Sequence, residues 1–327
     1  MNDSPHPYAS LSPETVLDAI ESLGMRCDGR SLALNSYENR VYQIGLEDGA
    51  PIVVKFYRPE RWSDEQILEE HHFAIELAGH EIPVVAPLIY GQTSLHRHAG
   101  FRFAVYPSQG GRPPELDDLD QLRWMGRFLA RIHTVGASRA FAARPVLEPE
   151  SFGAESRRYL LEQGLIPAHI ETAYESLSRD LLDRIDARYR ELGRLRYLRL
   201  HGDCHPGNVL WTDDGPHFVD LDDARMGPAI QDLWMLGSGN REEQIIKLGA
   251  LLEGYTQFGE FDRRELGLIE PLRSLRIMHY AAWLARRWSD PAFPQAFPWF
   301  DSPRFWEDHV LSLREQLALL DEPVLEV

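Results

Sequence analysis

The residues best suited to chemistry lie in His201-Gly202-Asp203-Cys204-His205-Pro206-Gly207-Asn208 and, shortly after, in Val219-Asp220-Leu221-Asp222-Asp223. The first stretch has the spacing H-x-D-x-x-x-x-N; in the second an aspartate ends the short apolar run His217-Phe218-Val219. Such a set suits transfer of a phosphoryl group from a nucleoside triphosphate to a hydroxyl. The hydroxyl needs a carboxylate to orient it and take its proton, a role for Asp203. The triphosphate needs divalent cations held by an amide oxygen and a carboxylate, roles for Asn208 and Asp220. Gly207 allows a tight loop that brings Asp203 and Asn208 to one rim, with Asp220 arriving from the far side.

A lysine upstream strengthens this reading. Lys55 interrupts the apolar run Ile52-Val53-Val54-Lys55-Phe56-Tyr57, where a charge is normally unwelcome. In a kinase-like lobe a strand lysine reaches the α- and β-phosphates and is held by a glutamate of the following helix. The capping-box signal Ser63-Asp64-Glu65-Gln66 opens such a helix, with Glu69 and Glu70 as candidates. Glu70 is preferred, because Phe73 and Leu77 then take the neighbouring helical positions that pack on the sheet. A solvent-facing lysine on an edge strand is the plain alternative, and the downstream motif counts against it. No glycine-rich phosphate loop precedes Lys55; Asn35-Ser36-Tyr37-Glu38-Asn39-Arg40 stands in its place. Its backbone amides and the Ser36 hydroxyl can contact phosphate, although an ordinary polar hairpin has the same composition.

Other candidates read as structural. His201 packs beneath such a loop and hydrogen-bonds backbone. Cys204 has no triad around it and reads as a small packed residue. Asp223 suits a solvated turn, while Asp222 stays open between that and a metal ligand. Asp232 either caps a helix or braces the catalytic loop. The stripe Arg123, Arg127, Arg131 reads as a solvated helix face, and Trp283, Trp288, Trp299 and Trp306 as core more than as a substrate groove. A two-metal phosphoesterase would need further His and Asp clusters, yet the later Gly239-Asn240 is followed by Arg241 and not by histidine, and a pseudokinase scaffold is disfavoured by the intact Asp203, Asn208, Asp220 and Lys55 set.

The elements that must position these residues follow from pattern. Ser12-Pro13-Glu14 starts a first helix. Strands are expected around Val41–Ile44, at 52–57, 88–91 and 101–106, and Glu47-Asp48-Gly49 reads as a hairpin turn. Helical periodicity runs over 63–78, 122–135, 168–192, 230–236, 242–258, 264–288 and 306–320. Gly110-Gly111 and Pro113-Pro114 mark a hinge at about 106–114, between a nucleotide-binding lobe, residues 1–107, and a catalytic and substrate lobe, residues 108–327.

With 327 residues the chain is long enough for two cores. A formal charge of −17 argues against nucleic-acid backbones and anionic membranes as partners. Two cysteines build neither a disulfide framework nor a four-cysteine zinc site. No secretory leader and no membrane-spanning run is seen, so a cytoplasmic, monomeric enzyme is expected.

On these residues the chain resembles the aminoglycoside-phosphotransferase and choline-kinase branch of the protein-kinase-like fold: H-G-D-x-H-x-x-N at 201–208 and V-D-L-D-D-A at 219–224. Blocks at 34–42, 53–62, 67–71 and 231–236, with Asp290-Pro291-Ala292-Phe293-Pro294, resemble the bacterial stress response kinase A family over nearly the whole chain. The resemblance implies an α+β, bilobal kinase-like fold, with a small antiparallel-sheet lobe and a larger, mainly helical lobe. It implies an ATP- and Mg²⁺-dependent kinase acting on serine and threonine of proteins in a stress response; relatives in the fold phosphorylate small alcohols instead. Carried over, Asp203 matches the catalytic base, Asn208 and Asp220 the Mg²⁺ ligands, Ser36 a nucleotide contact and Lys55 the phosphate-binding lysine, with Asp220 also an active-site residue. The branch has D-L-D where protein kinases have D-F-G, and no A-P-E segment is present here.

Overall fold

The computed structural model describes residues 6–327. Helix α1 (Pro13–Glu21) begins where the sequence predicts, with the Ser12 side chain accepting from the Thr15 amide. A five-stranded antiparallel sheet follows, in the order β1 (Cys27–Ala33), β2 (Arg40–Leu46), β3 (Ile52–Phe56), β5 (Phe101–Pro107), β4 (His96–His98). Helix α2 (Asp64–Gly79) lies between β3 and β4 in the chain, and its Ser63–Gln66 capping box forms as expected. The period of two in β3 decides the sidedness. Val54 and Phe56 join Ile44, Phe103 and Val105 against Val16 and Ile20 of α1, so the intervening Lys55 is turned to the opposite face.

The strand expected at 88–91 does not form. The Leu88 amide reaches the Val105 carbonyl at 2.7 Å, but Pro87 has no donor, and Gly91 at φ +57° turns the chain away. The outer strand is β4 instead. On the other edge, β1 is almost wholly exposed and carries little apolar alternation.

The rest of the chain is mainly helical: α3 (Leu119–Gly136), α4 (Glu155–Glu162), α5 (Ala168–Leu192), α6 (Arg241–Tyr255), α7 (Ile269–Arg287), α8 (Ala292–Ala296) and α9 (Pro303–Leu319). Two short antiparallel ladders, β6 (Leu198–Leu200) with β9 (Arg225–Gly227) and β7 (Val209–Thr212) with β8 (Gly215–Phe218), carry the loops of interest. Helices α3 and α6 approach closely across Gly126 and Gly254, where a Cβ would stand 2.0 Å from the Leu251 and Arg123 carbonyl oxygens respectively. The arginine stripe is therefore more than a solvated face: Arg123 binds Glu253 of α6 at 2.7 Å and Arg127 binds Gln257, in the turn just after it, at 2.9 Å. Residues 230–236 are not a regular helix. A 3₁₀ turn, Ala229–Asp232, and further turns replace it, and the segment is buried. Of the tryptophans, Trp306 is core as expected, while Trp299 is exposed.

Candidate active site

The catalytic-loop motif sits between β6 and β7. Gly202 is required where it stands: at φ +87° a side chain is strained, and a Cβ would lie 2.1 Å from the Asp223 carbonyl oxygen. Asp232 braces the loop from below. Its Oδ2 accepts the His201 amide at 2.8 Å and its Oδ1 the Gly202 amide at 2.8 Å, while His133 Nε2 lies 3.1 Å from Oδ2. Burial works to raise the Asp232 pKa, but the His133 hydrogen bond and charge outweigh it and hold the carboxyl below its usual range. Asp232 thus braces the loop and caps no helix. His201 Nε2 donates to the Val219 carbonyl at 2.9 Å, which links the loop to the strand end that carries Asp220. Cys204 is buried beneath, its thiol pushed well up by burial.

Above the loop is a cavity of ≈ 450 Å³. Asp203, Asn208 and Asp220 reach it from the helical part, and Ser36 reaches it from the segment before β2. The Asn208 amide nitrogen donates to the Asp203 carbonyl at 3.0 Å, which leaves its Oδ1 for another partner. Asp220 adopts left-handed backbone angles, φ 60° and ψ 65°, uncommon for a residue with a side chain. That conformation places its carboxylate 2.8 Å from Lys55 Nζ, across the gap between sheet and helical part.

Lys55 is 5% exposed. Burial alone would lower its pKa, yet the fields of Asp220, Asp222 and the other groups around it together raise it well above the usual value, so it is a fixed cation. The expected Lys55–Glu70 ion pair is not formed; Lys55 lies within ion-pair distance of Asp220 and, at 3.6 Å, of Asp222. Glu70 is buried on the same side. Burial, opposed by Lys55 and reinforced by Asp222, raises its carboxyl to about 7, and its Oε2 has no hydrogen-bond partner among the described residues. Glu69 faces elsewhere and accepts the amides of Ala142, Ala143 and Arg144 at 2.5, 2.9 and 2.8 Å.

Asp222, left open by its position in the sequence, is a buried partner of Arg61 and accepts from Asn39 Nδ2 at 3.1 Å. Burial tends to raise its carboxyl, and Lys55 and Arg61 together overcome this and lower it. Asp223 is not a solvated turn: it binds Arg61 at 2.9 Å and Arg225 at 2.6 Å.

The segment standing where a phosphate loop was sought is fastened to the helical part. Glu38 accepts from Trp283 Nε1 at 2.6 Å and pairs with Arg287 at 2.5 Å. Arg40 and Arg58 both bind Asp290, at 3.1 and 2.6 Å, behind α7. Trp283 therefore belongs to the cavity wall and not only to the core. Trp283 is one of the tryptophans the sequence offered for core or groove, whereas Arg276, Tyr280, Arg287 and a His279 driven by burial to a pKa of about 3 escaped sequence reasoning. Their signal was a second helical stripe, Arg276, Tyr280, Trp283, Arg287, beside the buried Leu272, Leu275 and Met278.

The chain that forms this site has clear relatives. The phosphotransferase enzyme family model matches residues 31–269, a span that includes Lys55, Asp203, Asn208 and Asp220. The chain belongs to that family. It is 48% identical to stress response kinase A of Escherichia coli O157:H7, over 100% of this chain and 99% of that one. It is 47% identical, with the same coverage, to the serine/threonine protein kinase RdoA of Salmonella typhimurium. In fold it is similar to amicoumacin kinase hAmiN, solved in complex with AMP-PNP, Ca²⁺ and Ami, with a TM-score of 0.71 and 21% identity, covering 93% of this chain and 92% of that one. The chain is thus a phosphotransferase of the stress response kinase A family with a kinase-like α+β fold.

Proposed function

We propose that this enzyme transfers the γ-phosphoryl group of ATP to serine or threonine hydroxyls of proteins in a cytoplasmic stress response. The observation that carries the reading is the meeting of Lys55 with Asp220 at 2.8 Å over the loop that presents Asp203 and Asn208. Its relatives carry the names of stress response and serine/threonine kinases. Among the described residues no helix is long and apolar enough to cross a membrane.

In this reading residues 1–107 hold the nucleotide side of the cavity and residues 108–327 the catalytic and acceptor side, with the hinge near 106–114. Asp203 orients the acceptor hydroxyl and receives its proton as the oxygen bonds to the γ-phosphorus and the bond to the β–γ bridging oxygen breaks, releasing ADP. Lys55 steadies the α- and β-phosphates, and the Ser36 hydroxyl and neighbouring amides meet phosphate from above. Asn208 and Asp220 would hold Mg²⁺. An amide oxygen and one carboxylate are a suitable protein share for an ion that keeps several waters and takes its remaining ligands from phosphates. When bound, the ion neutralises charge on the β- and γ-phosphoryl oxygens. Were Asp220 to turn to a bound metal, Glu70, whose charge already acts on Lys55, would be the buried carboxyl left to pair with it.

A second reading, a small-molecule hydroxyl kinase, draws on one feature. From Leu221 to Gly237 every residue except Asp223 is buried, so the stretch that directly follows Asp220 offers a folded protein little exposed platform. Incubation with γ-labelled ATP, Mg²⁺ and either the macromolecular or the low-mass fraction of a cell lysate separates the two. Label in protein that disappears with Asp203→Asn (about 10³-fold) and with EDTA is expected. Label confined to low-mass products would transfer the reading to the small-molecule class.

A further inference from the structure

The carboxylate of Asp203 has a partner that no part of its own loop supplies. Arg276, on α7, directs Nη1 to Asp203 Oδ1, and no other ionic partner of Arg276 is found among the described residues. The second oxygen is differently placed. His205 Nε2 stands 3.6 Å from Oδ2, beyond hydrogen-bond reach, and its ring is occupied on the other side, where Nδ1 accepts the Gly207 amide at 3.0 Å. One oxygen of the carboxylate is therefore tied, and the other is left without a hydrogen bond.

Helix α7 is a firm support for such a contact. Its buried side, Leu272, Leu275 and Met278, packs in the core, and Arg276 leaves from the stripe that lines the cavity. An aspartate at the end of a loop is free to rotate about two side-chain bonds and to exchange its two oxygens. A charge-assisted hydrogen bond from a rigid helix removes that freedom and selects one orientation. The side chains are 43% and 23% exposed, so the pair adds little to stability. Its effect falls on geometry, to which phosphoryl transfer is sensitive.

We propose that Arg276 is a positioning residue for the transfer: it holds Asp203 by Oδ1, so that Oδ2 is the oxygen that meets the acceptor hydroxyl. The proposal rests on Asp203 being the base, and the experiment distinguishes the failure of either. The full-length protein and its R276A, R276K, D203N and D203N/R276A variants are assayed for phosphoryl transfer from γ-labelled ATP to dephosphorylated casein. ADP formation with water as acceptor is measured in parallel, and thermal unfolding is recorded for each variant. The expected result for R276A is a fall in kcat of about 10- to 100-fold, with KM for ATP and the unfolding temperature unchanged. R276K recovers part of the rate, and the double variant is no slower than D203N. A kcat for R276A within twofold of the parent overturns the proposal. So does a change confined to KM for casein, which would make Arg276 an acceptor anchor, or a loss that tracks a lowered unfolding temperature. An active D203N removes the base assignment itself, and the proposal with it.

Discussion

Two acidic centres flank the catalytic loop, a fully buried one beneath it and one above that opens to the cavity at Asp220, and they differ in how completely they are satisfied. Beneath, Asp232 has donors on both oxygens, two of them backbone amides of the loop. Above, Asp220, Asp222 and Glu70 crowd around Lys55 and Arg61, and Asp222 Oδ1 and Glu70 Oε2 are buried with no hydrogen bond among the described residues. A saturated carboxylate defines a backbone conformation, because each donor has one place to go. A crowded, unsaturated cluster is held by the surrounding fold and keeps capacity for protons, metal ions and phosphates. Rigidity and readiness are thus built from the same residue type by changing the number of donors.

The difference is open to direct tests. The largest effect is expected at the brace. Asp232→Asn keeps the shape but turns an amide nitrogen towards existing donors, and it should cost about 3–5 kcal/mol of stability, read by urea unfolding. A loss below about 1 kcal/mol would show that the loop holds itself. The cleft should answer to pH instead. Glu70 gives up its proton near 4.5 in the unfolded chain and near 7 in the folded one. Between those values the folded protein binds more protons, so this group makes stability fall as pH rises through the window, by up to about 3 kcal/mol. Glu70→Gln should flatten that slope and leave stability at about pH 4 unchanged; an unaltered slope between about pH 5 and 8 would remove Glu70 from the cluster. The smallest effect is expected for Asp222→Asn, about 1 kcal/mol, because Arg61 keeps Asp223 at 2.9 Å and Lys55 keeps Asp220 at 2.8 Å. A loss equal to that of Asp232→Asn would erase the contrast between the two centres.

Much of the molecule was legible in local pattern. The caps at Ser12 and Ser63, the apolar strand around Lys55 and the long helix at 168–192 depend on neighbours in the chain and form where the pattern puts them, whereas the helix expected over 264–288 starts only at Ile269, after a 3₁₀ turn over Arg263–Leu268. The grouping of Asp203, Asn208 and Asp220 was legible too, because close spacing in the chain carries it, and Lys55 joined them through the kinase-like pattern of a lysine in an apolar strand. Where the reading failed, the cause was local in one case and a distant contact in the other. Residues 88–91 look like a strand until Pro87 and the left-handed Gly91 remove their ladder. Residues 230–236 have a helical pattern, but Asp232 is engaged by the loop amides of His201 and Gly202.

By itself the sequence determined which residues could do chemistry and on what kind of element each would stand. Only the tertiary structure decided who their partners are. Lys55 meets Asp220 and Asp222 and not Glu70, Asp203 meets Arg276, and Glu38, before β2, reaches Arg287 at the end of α7. The reason is physical. Backbone propensity and side-chain period act over a few residues, whereas an ion pair needs two groups within about 4 Å in space, a condition met only once the sheet has docked on α7 and the catalytic loop.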